Sequence, residues 1–94
     1  MYDWDESKRE ANLKKHGLDF AEAFLVYEHS EKITIRSDRK NEARAQDLAI
    51  VEMAEGMLSL AYTVRDQSIR VISFRRASRR ERRMYARIKK EQSN

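Results

Sequence analysis

The spacing of apolar residues changes along this chain, and each change marks a different element. Asp5 stands where a helix N-cap belongs, ESKREANLKKH follows, and Gly17 is suited to the left-handed exit from a helix, so a first helix is predicted near residues 6–16. Asp19 and Glu22 then form a capping-box-like pair. Phe20, Ala23, Phe24 and Tyr27 fall at i, i+3, i+4 and i+7, which predicts a short second helix that packs by this stripe. Beyond it the period drops to two. ITIR at residues 33–36 is a brief β-branched segment, and SDRKNEARAQ reads as a polar loop.

Three strand-like runs follow, DLAIVEM, LSLAYTV and SIRVISF, separated by AEG and RDQ. Those separators are too short for crossover helices, so neighbouring strands are predicted to pair antiparallel as a meander. Leu58, Leu60, Tyr62 and Val64 should line one face of the middle strand. Ser78 and Glu81 read as an S-x-x-E capping box opening a last helix, whose Ala77, Met84, Tyr85 and Ile88 can face the sheet. The expected fold is α+β: two N-terminal helices, a small antiparallel sheet of three to four strands and an Arg-rich C-terminal helix, with residues 1–94 forming a single domain.

Charge sharpens this picture. From Arg65 onward there are eleven Lys/Arg against three Asp/Glu, whereas the first 64 residues carry nine against thirteen, so an acidic half precedes a strongly basic one. Polyphosphate partners respond to local charge, because each cation near a phosphate releases condensed counterions. Nucleic acid is therefore the leading partner class, with an acidic protein as the alternative. The absence of cysteine removes disulfides, thiolate nucleophiles and Cys-based zinc sites. No apolar stretch approaches the length of a membrane span and MYDWDESKRE lacks a signal-peptide core, so a soluble, cytoplasmic protein with no membrane contact is expected.

Candidate chemistry concentrates where the last strand feeds the last helix. Arg75, Arg76, Arg79, Arg80, Arg82, Arg83 and Arg87 cluster there, with Arg80, Arg83 and Arg87 on one helix face. Guanidinium groups fork to phosphate oxygens and suit both RNA binding and stabilisation of a pentacovalent phosphorane. A solvated basic face would carry the same residues. His16 follows Lys14 and Lys15 at a helix end, where an imidazole is equally at home as a cap or as a general acid–base. Glu81 has its capping role beside a possible general-base role, and Tyr85 its packing role beside a phosphate contact. Trp4 and Phe74 could stack bases, though core burial explains them too. His29 is a weaker candidate, and two histidines without ligand-spaced partners make no metal site. No phosphate-cradling Gly loop or carboxylate metal cluster is present. A metal-free ribonuclease remains open, because RNA supplies its own nucleophile in the 2′-hydroxyl.

Residue types and order resemble one family. WDESKREANLKKHGLDFAEA is similar to the opening of the BrnT-type toxins of bacterial type II toxin–antitoxin modules, W-D-x-x-K then N-x-x-K-H-G and F-x-E-A, here Trp4, Asp5, Lys8, Asn12, Lys15, His16, Gly17, Phe20, Glu22 and Ala23. RVISFRRASRRERRMY resembles the family's R-x-I-S-x-R-x-A-x-x-x-E-x-x-x-Y ending, at Arg70, Ile72, Ser73, Arg75, Ala77, Glu81 and Tyr85, with Glu42 and Arg44 standing for an E-x-R between them. Family sequences often carry Gly near position 49 and Ala at 74, where this chain has Ala49 and Phe74; the latter suggests an aromatic ring near the active face.

The resemblance implies a RelE-like ribonuclease fold, translation arrest by RNA cleavage, and a cognate DNA-binding antitoxin of the BrnA type that forms a hetero-oligomer with the toxin. Combined with the residue reading, it gives an expected catalytic set of His16, Arg75, Arg79, Arg80, Glu81 and Tyr85. The expected RNA-binding set is Lys8, Lys15, Arg70, Arg76 and Arg83, with no cofactor and no metal. The alternative is a non-catalytic module that uses the same arginines to bind nucleic acid or an acidic partner, with steep salt dependence and no product.

Overall fold

The computed structural model describes residues 1–39 and 42–93. A two-residue strand β1 (Tyr2–Asp3) leads into helix α1 (Glu6–His16), a 3-10 turn (Phe20–Glu22) and the short α2 (Phe24–Tyr27). Strands β2 (Ile33–Arg39), β3 (Glu42–Val51), β4 (Gly56–Arg65) and β5 (Ser68–Arg76) follow, and α3 (Arg79–Gln92) closes the chain. The five strands form one sheet in the order β1-β5-β4-β3-β2, antiparallel except for the parallel β1–β5 pair.

The expected α+β class and meander hold, with two corrections. The sheet has five strands rather than three or four, and it is mixed. The stretch read as a polar loop is instead the paired ends of β2 and β3, with Ser37 opposite Arg44 and Arg36 opposite Ala45. Its polar composition is explained by the surface it builds: ladder hydrogen bonds depend on the backbone, and a strand whose outward face is wet can carry charge there. Lys40 and Asn41 of that stretch lie outside the described residues, as do the side chains of Asp38, Arg39 and Glu42. The two-residue β1 was too short to leave a periodic signal.

Local signals place the elements. Asp5 caps α1 by accepting from the amides of Ser7 and Lys8, which holds its carboxyl below the usual carboxylate range, the Ser7 hydroxyl contributing most. Gly17 ends α1 at φ 72°. Asp66 and Gln67, both at positive φ, form the two-residue turn joining β4 to β5, of the kind whose twist matches a hairpin. Ser78 and Glu81 make a complete capping box at the start of α3.

The sheet has two unlike faces. On one, the segment from α1 to α2 covers a core of Phe20, Ala23, Val26, Ala49, Leu58, Leu60, Tyr62, Val71 and Phe74. The stripe that packs there is Phe20, Ala23 and Val26, while Phe24 is nearly half exposed, because the segment is half 3-10 turn and its buried residues recur every three positions. Val64 is exposed beyond the end of this core, unlike Leu58, Leu60 and Tyr62. Phe74 is buried on this face, so its ring does not approach the opposite one.

Asn12 fastens α1 to the sheet. Its amide donates to the Phe74 carbonyl at 2.7 Å and accepts from the Phe74 amide at 3.2 Å, which satisfies the β5 edge beyond the reach of β1. On the second face α3 covers only one end, through Ile33, Leu48, Ala77 and Tyr85. The rest of that face remains open.

Candidate active site

The open face is shaped by residue size. Along the central strand β4, Ser59, Ala61 and Thr63 point away from the helical core and are too short to fill it. Longer side chains flank them, Arg44 and Gln46 on β3, Arg70 and Arg75 on β5. Two adjoining clefts result. One of 260 Å³ is lined by Ser37, Arg44, Ala45, Gln46, Ala61, Arg75 and Glu81. The other, of 180 Å³, is lined by Asp5, Lys8, Arg44, Arg65, Arg70, Val71 and Ile72. Arg44 belongs to both.

The first cleft holds a forked ion pair. Arg75 donates from its two terminal nitrogens to the two oxygens of Glu81, each at 2.9 Å. Gln46 donates to the same carboxylate at 2.6 Å and to the Ser59 hydroxyl at 2.8 Å, and the Ser78 amide adds a donor at 2.8 Å. The Arg75 fork is the largest influence on Glu81, and together with the Ser78 amide and Gln46 it lowers the carboxyl from its usual 4.5 to about 2. Reciprocally, the carboxylate raises the pKa of the guanidinium. Glu81 is thus a fixed anion that orients Arg75 and a weak proton acceptor near neutrality.

Arg44 differs. Its Nε and the neighbouring Thr63 Oγ1 are buried without hydrogen-bond partners, and the two residues are directly opposite in the β3–β4 ladder. Unpartnered buried polar atoms carry a desolvation cost, and among the described residues these are the two side-chain atoms that do so. In the second cleft, Lys8 is exposed on the first turn of α1 and Arg70 makes a long 3.4 Å contact with Asp3.

The fold gathers part of the expected set. Arg75 and Glu81 meet in one cleft; Lys8 and Arg70 meet in the other. His16 lies part-exposed at the end of α1 with exposed Lys15 beside it, and neither lines the clefts. Tyr85 donates to the Glu31 carbonyl at 2.9 Å and faces a separate, mainly apolar cavity with Leu25, His29, Ile50 and Met53. Arg76 turns to the Ala54 carbonyl, and Arg79, Arg80 and Arg83 are exposed along α3 outside both clefts.

Three lining residues escaped the residue-level reading: Arg44, which entered only through the family pattern, Gln46 and Arg65. Arg44 and Gln46 alternate with buried Ala45 and Asp47, a period-two signal hidden inside a stretch read as a loop. Among the described residues no group of three His, Cys, Asp or Glu could hold a metal ion, and no helix is long and apolar enough to cross a membrane.

An α+β protein whose exposed sheet face sets forked guanidiniums over a floor of short side chains is built to receive an anion of extended shape. The comparison with known families agrees. The family model for the BrnT ribonuclease toxins of type II toxin–antitoxin systems matches residues 4–81, and the chain belongs to that family. It is a ribonuclease toxin, with RNA as its target and an antitoxin as its partner. No curated protein matches the chain.

Proposed function

We propose that the chain is a metal-independent endoribonuclease of RelE-like fold that arrests translation by cutting RNA at the cleft between Arg44 and Arg75. The observation that carries this reading is the Arg75 guanidinium, gripped on one side by Glu81, which Gln46 steadies in turn, and lining an open cleft with Arg44. The RNA's 2′-hydroxyl attacks the adjacent phosphorus, the bond to the 5′-oxygen breaks, and a 2′,3′-cyclic phosphate and a 5′-hydroxyl end result. Arg75 and Arg44 neutralise the extra charge of the phosphorane, and the rigid placement of Arg75 means that little reorganisation is needed as that charge develops. The hydroxyl proton leaves to water and the departing oxygen takes one from water. This reading assigns no proton to Glu81, whose lone pairs are committed, nor to His16 and Tyr85, which lie outside the cleft. A BrnA-type antitoxin in the cytoplasm would silence the protein by covering the guanidiniums.

Incubating the protein with a long RNA in EDTA and mapping new ends tests the proposal. Cyclic-phosphate and 5′-hydroxyl ends are expected, with a rate that climbs with pH through neutrality and shows no imidazole inflection. Arg75→Ala should lower kcat by about 10²–10³, while His16→Ala changes it little. Binding with steep salt dependence and no product would favour the non-catalytic module instead. Products formed only with added divalent metal would overturn the mechanism.

A further inference from the structure

We infer that the Lys8–Arg65–Arg70 cleft is a second phosphate seat, which takes the linkage next to the one being cut, so that the unit recognised is an RNA segment with two consecutive phosphates. This rests on the ribonuclease reading above and specifies its substrate. Both clefts lie on one sheet face and share Arg44. Across the ladder, Arg44, Thr63 and Arg70 form one row, while Gln46, Ala61 and Ser73 form the next. Rows on one face are two residues apart, about 6.6–6.8 Å along a strand; Arg75, opposite Ser59, stands in the third row, and Arg44, in the row of Arg70, lines both clefts and bridges the gap.

The chemistry of the second cleft suits a phosphate. Lys8, Arg44 and Arg70 line it with a single carboxylate, Asp5, which is occupied by the Ser7 hydroxyl and the amides at the start of α1, and Arg65, itself already partnered, lines it too. Among the described residues, Arg70 has a long, exposed contact with Asp3 to give up. Between the two clefts, buried Thr63 Oγ1 and Arg44 Nε have no partner. Polar groups left unmatched on the floor joining two cationic clefts fit a site completed by its ligand, whereas a merely solvated basic face would leave its polar atoms in water.

The test uses the whole protein and short synthetic RNAs. A dinucleotide offers one phosphate and a trinucleotide two; a third oligonucleotide replaces the flanking linkage of the trinucleotide with an uncharged methylphosphonate. Cleavage should favour the trinucleotide at least about tenfold in kcat/KM, and the methylphosphonate should erase that gain. Lys8→Gln and Arg70→Gln should weaken only the trinucleotide, because their partner is absent from the other two, the signature of a pairwise interaction in a double-mutant cycle. In parallel, binding of 2′-O-methyl versions is read against salt. Removing the flanking charge, or either cation, should lower the slope of log K against log salt by about 0.7. Equal kcat/KM on all three RNAs, or variant losses that ignore the flanking charge, would overturn the second seat. If no RNA is cut at all, the ribonuclease mechanism fails, while the salt slopes still decide whether the seat exists.

Discussion

Neighbouring residues of β3 send polar groups to opposite faces of one sheet, and the two faces treat them differently. Asp47 points into the helix-covered core with no exposed surface, where Lys32 donates to it at 2.7 Å, Thr34 at 2.6 Å and Tyr62 at 3.1 Å. Burial, followed by the Asp47 charge, pushes the Tyr62 phenol up, so it stays a donor. Lys32 also lies 4.1 Å from the centre of the Tyr27 ring. On the other face Gln46 and Arg44 reach the clefts, where Glu81 is fully matched but Arg44 Nε and Thr63 Oγ1 are not. A polar group in a closed core must find all its partners within the chain. One on a binding face can be completed by a ligand, and the cost in the free protein is borne by the stability of the other face.

The largest effect expected from breaking this contrast is on the closed face. Asp47→Ala strands Lys32 and Tyr62 and should cost about 3–5 kcal/mol in urea unfolding, with RNA cleavage intact at temperatures where the variant is folded. Across the sheet, Glu81→Gln keeps a capping-box residue but loses the charged Arg75 pair, which should cost about 1 kcal/mol, and should lower kcat because Arg75 is no longer fixed. Its acid dependence sharpens the point. Glu81 is a stronger acid folded than unfolded, so its contribution is complete above pH 4.5 and is lost as pH falls toward about 2. Unfolding free energy measured over that window should fall less steeply in Glu81→Gln than in the parent.

One substitution made on both faces gives the finest comparison. Thr34→Val removes a donor to a buried carboxylate and should cost about 1.5 kcal/mol. Thr63→Val replaces a hydroxyl with no partner by a methyl of similar size and should change stability by less than about 0.5 kcal/mol, or raise it. Equal losses in urea unfolding would show that Thr63 is satisfied and that the two faces do not differ as described.

Much of this was legible from residue order. Asp5, Gly17, Ser78 and Glu81 act through backbone groups within a few positions of themselves, so their caps were readable without knowing the fold. The strand runs beginning at Asp47, Leu58 and Ser68 announced themselves by alternation, and their short separators required antiparallel pairing. The end of β2 and the start of β3 escaped because polar Arg36, Ser37, Arg44 and Gln46 fall on both faces there, and Ala45 alone is too little to mark a period. At the site, the sequence assigned the cationic character and, through Arg75 and Glu81, one real pair, for these two are six residues apart at a strand-to-helix junction.

Convergence over longer separations was decided by tertiary structure. Arg44 joins Arg75 because β3 and β5 flank the same strand and the intervening side chains are short. Lys8 reaches Arg70 because Asn12 fastens α1 along the β5 edge. The same packing leaves His16 and Tyr85 outside the clefts, although their types and spacing suited the chemistry. Sequence by itself determined what depends on near neighbours: caps, turns, strand period and the sign of the charge. Which distant groups share a cleft depends on the register and face of each strand, where a shift of one residue reverses every side chain, and that is settled only when the whole sheet is assembled.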